Sequence, residues 1–230
     1  MLLIITRPEV DALPLKAKLE GLGHTAHLAP LLKIVPRPDV YIPPLAYQLA
    51  CATSANALKS VHLGDEIKKI PLLAVGPQSL SVARQVGFKN CQAHGGDVQG
   101  LVAHIAANFD PKNGPILYLS GAETSSNLRA LLKASGFAVE RVIIYDAVIQ
   151  TPPEFDRALA KANGVLLYSP RSARIWCNLM VSSKLEKQAA TPTYYCLSDN
   201  VAKILPKPWQ KPMAYCSIRR AAPASGVTLW

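Results

Sequence analysis

Short apolar runs alternate with amphipathic stretches along the chain. Leu2–Ile5 reads as a strand, and Val10, Leu13, Ala17 and Leu22 recur at helical spacing over about Val10–Leu22. Gly23 ends that helix, because glycine takes the left-handed conformation just beyond a helix without steric cost. A second strand is predicted at about Ala26–Ile34. The same grammar returns twice: a helix over Pro77–Val86 is stopped by Gly87, and one over Ser125–Ser135 by Gly136, each followed by a strand-like run. Strands near Leu49–Ala52, Leu72–Val75, Ile116–Leu119, Val139–Ile149, Val165–Tyr168 and Tyr194–Leu197 complete the series. Strands alternating with helices predict an α/β protein whose parallel sheets carry helices on both faces.

Two segments break this rhythm. Pro36, Pro38, Pro43 and Pro44 crowd one, and Gln150-Thr-Pro-Pro153 marks the other. Proline-rich stretches between packed units read as linkers. Two crossings make the protein bilobed, each lobe a parallel sheet flanked by helices. A discontinuous first lobe spans 1–35 plus 150–230 and a second spans 40–145, with linkers near 36–44 and 146–153. An internal echo agrees with two lobes. Ile116-Leu-Tyr-Leu-Ser-Gly-Ala-Glu123 through Gly136 repeats the pattern of Leu2-Leu-Ile-Ile-Thr-Arg-Pro-Glu9 through Gly23. Ala52-Thr-Ser-Ala-Asn-Ala57 is echoed in the same way by Tyr168-Ser-Pro-Arg-Ser-Ala173.

Composition narrows the class. With 230 residues, half of them hydrophobic and 17% charged, the chain carries material for sizeable cores, which excludes disordered and fibrous classes. Arg7, Pro8 and Glu9 cut off the opening apolar run, so it reads neither as a signal peptide nor as a span of the ~20 residues a bilayer requires. Five scattered cysteines without a CxxC pair suit a reducing cytoplasm rather than a disulfide framework. His24 and His27 form a close pair that no further ligand completes, so they read as surface residues. The net charge is +10, and residues 151–230 hold 11 basic against 4 acidic side chains. Such a chain attracts anions. Aromatics do not interleave with basic runs, and no nucleic-acid signature appears, so a polyanionic small molecule is favoured over nucleic acid.

The candidate chemistry sits where strands end and helices begin. Thr53-Ser54 and Ser169 stand at such turns, with an ordinary duty as helix N-caps. Helix N-termini also present free N–H groups and a positive dipole end to carboxylates or phosphates. Ala74-Val-Gly-Pro-Gln-Ser79 is a third turn of this kind, with Gly76 allowing close backbone approach and Pro77 suited to the first helical turn. Arg7 follows the first strand directly. No catalytic triad, GxSxG elbow or carboxylate pair is present, so any catalysis rests on positioning and hydrogen bonding.

Taken together these motifs resemble the uroporphyrinogen-III synthase family. The residues that carry the resemblance are Ile4-Ile-Thr-Arg-Pro8, Thr53-Ser-Ala-Asn-Ala57, Ala74-Val-Gly-Pro-Gln-Ser79, Val142-Ile-Ile-Tyr145, Tyr168-Ser-Pro-Arg-Ser-Ala173 and a degenerate Cys196-Leu-Ser-Asp-Asn200. Their order and spacing over about residues 1–205 are more specific than any one of them. The resemblance implies a bilobed α/β enzyme with a cleft between lobes. It would cyclise hydroxymethylbilane, an eight-carboxylate linear tetrapyrrole, to uroporphyrinogen III, without metal or cofactor. It further implies that Tyr145 assists departure of the terminal hydroxyl and that Thr53, Ser54, Gly76, Ser79 and Ser169 line the cleft. Arg7 and Arg171 would face substrate carboxylates. Ser198 stands where the family commonly has glycine, so that part of the site is altered.

A monomer in the cytoplasm is expected, with the bilane handed over from hydroxymethylbilane synthase and no nucleic-acid or membrane partner. A non-catalytic two-lobed anion receptor or regulator is the alternative; it would keep the basic, hydroxyl-rich rim and have no use for Tyr145. Beyond Lys211-Pro-Met213 the chain departs from the family, since Pro223 and Gly226 argue against a closing helix.

Overall fold

The computed structural model describes residues 1–94, 96–124 and 126–210. The expectation for the C-terminal segment, with Pro223 and Gly226, lies outside these residues. The chain divides into two compact units, one built from residues 1–33 together with 148 onward, the other from 34–147.

In the first unit, β1 (Leu2–Ile5) leads into α1 (Glu9–Gly21) and β2 (Thr25–Leu28). The chain leaves along β3 (Leu32–Pro36) and returns through α7 (Phe155–Leu159), β9 (Gly164–Leu167), α8 (Pro170–Ser182), α9 (Glu186–Ala189), β10 (Thr193–Cys196) and α10 (Asp199–Ala202). The strands lie in the order β10-β9-β1-β2, every neighbour parallel. Strand alternation divides β1 between two cores. Ile4 joins Trp176 and Met180 of α8 on one face, while Leu3 and Ile5 join α1 on the other. Within the first core, the Trp176 indole N–H donates to Tyr194 Oη (3.1 Å) and the Tyr194 hydroxyl to the Ala189 carbonyl (2.8 Å). The indole and phenol are thus both satisfied within an apolar setting.

Three expectations are corrected here. Helix α1 buries Ala12, Leu15 and Leu19, whereas Val10 and Leu13 are half exposed. Both sets have helical spacing, and only contact with the sheet selects between them. His24 and His27 are both half-buried rather than surface residues, and His27 Nε2 has no partner. The single strand expected over Ala26–Ile34 is two strands that belong to different sheets. Pro30 has no N–H to continue a ladder, and after Leu31 bonds back to Thr6 the chain leaves for the second unit.

The second unit contains β4 (Leu49–Ala52), α2 (Ala55–Lys59), α3 (Asp65–Lys69), β5 (Leu72–Ala74), α4 (Pro77–Gln85), β6 (Cys91–Ala93), α5 (Val98–Asn108), β7 (Ile116–Gly121), α6 (Leu128–Ala134) and β8 (Val139–Ile149). Its sheet runs β3-β8-β7-β4-β5-β6, with β8, β7, β4, β5 and β6 parallel. Ala50 and Ala52 pack with α2 and α4 on one face; Leu49 and Cys51 pack with α5 and α6 on the other. Helices thus cover both faces, as alternating β and α elements require.

The internal echo has a structural counterpart. Leu2 lies opposite Thr25 and Ile116 opposite Val139, the same offset in each unit. Gly23 (φ 80°) and Gly136 (φ 88°) close α1 and α6 through matching bonds, with the following residue's N–H reaching back to Leu19 and to Leu132 at 3.0 Å.

Candidate active site

In each unit the sequence-predicted residues gather at the carboxyl edge of the parallel strands, the edge at which α/β sheets bind ligands. In the second unit, β4 ends in Thr53 and Ser54. The Ser54 hydroxyl caps α2 by accepting from the Asn56 N–H (3.2 Å). Beside it, β5 delivers Gly76 to the start of α4. Gly76 is extended (φ −137°, ψ 168°), and a Cβ there would meet nothing within 4 Å. Neither backbone conformation nor neighbouring atoms of the chain therefore require glycine at that turn. Ser79, in the first turn of α4, is buried.

A cavity of about 550 Å³ opens at this edge on the α5–α6 side. Thr53, Val75, Val98 and Leu131 line it with the polar groups of Asp97, Gln99, Ser126 and Asn127. Ser54, Gly76, Ser79 and Tyr145 are not among its walls. Asp97 was not read from the sequence, although the signal was there. An aspartate N-cap precedes apolar residues at Val98, Leu101, Val102 and Ile105, and its carboxylate accepts the Gly100 N–H at 2.7 Å.

Tyr145 owes its placement to a register shift. Ser120 pairs with Ile143, but Gly121 pairs with Tyr145, so β8 carries one extra residue. A bulge re-aims the side chains that follow it. Val142, Ile144 and Tyr145 consequently all enter the same core, which simple alternation forbids. The Tyr145 ring is buried against the Gly121 backbone, where a Cβ would stand 2.6 Å from Cζ. Arg141 holds the neighbouring strand end: its guanidinium donates to Ser120 Oγ (2.8 Å) and to the carbonyls of Gly121 (2.7 Å) and Ala122 (2.8 Å).

In the first unit, Arg7 follows β1, Ser169 and Arg171 follow β9, and Ser198 follows β10, three adjoining strands. The Arg7 guanidinium lies over the Tyr168 ring (4.9 Å to the centroid) and 3.8 Å from the Asp11 carboxylate. Stacking on an aromatic face holds a guanidinium in place. Ser169 forms a reciprocal capping box with Ser172, its hydroxyl accepting the Ser172 N–H at 3.0 Å. Arg171 is half-buried in the first turn of α8. Ser198 is exposed at the start of α10 and makes no side-chain cap.

Titration behaviour disfavours thiolate chemistry at these edges. Burial pushes the Cys51 thiol up, and that of Cys196 to about 11, so neither supplies a thiolate. Among the described residues no three histidine, cysteine or carboxylate side chains gather within reach of one metal ion. What the edges offer is hydrogen-bond donors, arginines and tyrosines.

The comparisons with known proteins decide the family. The family model described as uroporphyrinogen-III synthase HemD matches residues 14–217. The chain belongs to the uroporphyrinogen-III synthase family. The match begins after Arg7, so the opening motif stands outside it. Two solved synthase structures share the fold. Uroporphyrinogen-III synthetase from Helicobacter pylori is 14% identical, with 87% of this chain and 85% of that one covered at a TM-score of 0.60. A mutant uroporphyrinogen III synthase from the extremely thermophilic bacterium Thermus thermophilus is likewise 14% identical, with 89% and 88% covered at 0.53. No curated protein matches the chain significantly. The architecture of this synthase-family chain is thus preserved at a sequence identity too low to show more than the fold.

Proposed function

We propose that this protein converts hydroxymethylbilane to uroporphyrinogen III, with loss of water and inversion of ring D, in the cytoplasm and as a monomer. The family match over residues 14–217 is the observation that carries this reading, and the +10 charge suits an eight-carboxylate substrate. No helix among the described residues is long and apolar enough to cross a membrane. The bilane is taken over from hydroxymethylbilane synthase, and the two compact units serve as lobes, near 1–35 plus 150–230 and 40–145.

The chemistry has little need of a strong acid or base. A pyrrole nitrogen of the bilane pushes out the terminal hydroxyl, which leaves as water once protonated, and an azafulvene remains. Attack from the substituted carbon of ring D gives a spiro intermediate, which fragments and recloses with that ring turned around. In free solution the bilane closes head to tail instead, so the protein acts by holding a conformation. Near-attack positioning supplies up to about 7–11 kcal/mol. Tyr145 donates a hydrogen bond to the departing hydroxyl; a phenol suits donation better than full proton transfer. Arg7 and Arg171 meet carboxylates of the bilane. Thr53, Ser54, Gly76, Ser79, Ser169 and Ser198 contribute hydroxyl or backbone N–H contacts.

Isomer composition tests the reading. Hydroxymethylbilane is generated from porphobilinogen with a deaminase, this protein is added, and the oxidised porphyrins are separated by chromatography. Isomer III well above the protein-free control is expected. Only isomer I from folded protein refutes the reading and leaves the anion-receptor alternative, which bilane binding then checks.

A further inference from the structure

Tyr118 lies deep in the β7 strand, yet it reaches the rim of the cavity. Its ring is 1% exposed among Cys51, Val98, Leu101 and Leu128. In the sheet register it stands beside Cys51 of β4. Strand alternation puts Thr53, two residues beyond Cys51, on the same face. The phenol therefore runs up alongside β4, and its oxygen ends 3.1 Å from Thr53 Oγ1. Thr53 is half-buried and lines the cavity, so its hydroxyl has a buried partner on one side and open space on the other.

We infer that Tyr118 is a positioning residue, which donates its proton to Thr53 Oγ1 so that the threonine O–H points into the cavity as a donor for an anionic or hydroxyl group of the ligand. The direction of donation follows from the surroundings. Tyr118 is buried, and its hydroxyl lies within hydrogen-bond distance of Thr53 Oγ1. A phenol that failed to donate there would leave its proton unpaired in an apolar core, whereas Thr53 lines the cavity, where its own proton has other acceptors. A hydroxyl that accepts such a bond donates more strongly in turn. Tyr118 touches no ligand in this arrangement; it acts through Thr53. The inference rests on the synthase reading for the identity of the ligand, though not for the geometry.

Six proteins test it: wild type, Tyr118→Phe, Thr53→Val, the conservative Thr53→Ser, and each Thr53 variant combined with Tyr118→Phe. Tyr118→Phe keeps the buried ring, and thermal denaturation verifies that it folds. In the isomer assay, Tyr118→Phe should raise KM for the bilane or lower the III-to-I ratio by on the order of three- to tenfold, the effect of one hydrogen bond. The change should vanish in the Thr53→Val background, because the two residues act as one unit. Thr53→Ser should retain the sensitivity to Tyr118→Phe. Titration with uroporphyrin III, followed by tryptophan fluorescence, gives a readout independent of turnover. If wild type makes no isomer III, the synthase reading fails while the titration still decides the role of Tyr118. An unchanged Tyr118→Phe, or equal losses with and without the Thr53 hydroxyl, overturns the inference. So does a wild type that neither turns over the bilane nor binds the porphyrin.

Discussion

Replacement of Gly121 by alanine probes the contact that places Tyr145. The added Cβ would stand 2.6 Å from Cζ, 2.9 Å from Cε2 and 3.0 Å from the hydroxyl oxygen of Tyr145. Carbon atoms in contact prefer about 3.5–4.0 Å, so the ring must withdraw by roughly 1 Å. Overpacking of this kind costs about 1–3 kcal/mol. Loss of glycine's freedom in the unfolded chain returns about 0.4–1 kcal/mol. The net, about 1–2 kcal/mol, corresponds to a fall in Tm of a few degrees for a chain of this size. The effect on rate should be larger in proportion, because a displacement of about 1 Å at a reacting centre costs up to about 10²-fold. Tyr145→Phe should by itself lower kcat by up to about 10²-fold, the low end for loss of a general acid. Both variants are assayed by the initial rate of isomer III formation, with Tm measured in parallel. In the Tyr145→Phe background, Gly121→Ala should lower Tm as before and add little to the loss of rate. A Gly121→Ala protein with wild-type rate and wild-type Tm refutes the packing argument. An undiminished loss of rate in the Tyr145→Phe background refutes the argument that the hydroxyl's position is what matters.

Two further outcomes follow from the geometry. Ser169→Ala removes the capping box at the start of α8 and should destabilise the protein by about 1 kcal/mol in urea denaturation; unchanged stability would contradict the box, and a KM raised beyond what Ser172→Ala produces would mark a separate contact with the bilane. His94 stacks on His104 with ring centroids 3.4 Å apart, and burial, followed by the His104 charge, lowers its pKa from the ordinary 6.5. The unfolded chain then binds more protons as pH falls through that value, so this share of stability is present above it and lost below. The denaturation midpoint should drop from about pH 7.5 to about pH 5.5, and less steeply in His94→Gln; identical slopes refute the assignment.

Much of the architecture can be read locally. The strand β8 is bounded as its segment predicts, and β1, β4, β5, β7, β9 and β10 fall within a residue or two of the apolar segments that announce them. The same α/β grammar also places Thr53, Gly76 and Ser169 just past strand ends, where they lie. Short or mixed elements are harder to read. Strand β6 has three residues and no alternation to speak of, and α5 was announced by Asp97 only to a reader looking for its cap.

Sequence alone determined the α/β class, the parallel strands, the glycine stops and the helix caps, because each depends on residue periodicity or on the φ, ψ range of a single residue. Tertiary structure decided the rest. Contact with the sheet chose Ala12, Leu15 and Leu19 over Val10 and Leu13, since both stripes have helical spacing. The register between β7 and β8 turned Tyr145 onto a face that its position in the alternation denies it. The hydrogen bond between Thr53 and Tyr118 joins residues 65 positions apart. Register and side-chain pairing depend on which strands become neighbours, and neighbours are chosen by the packing of the whole sheet.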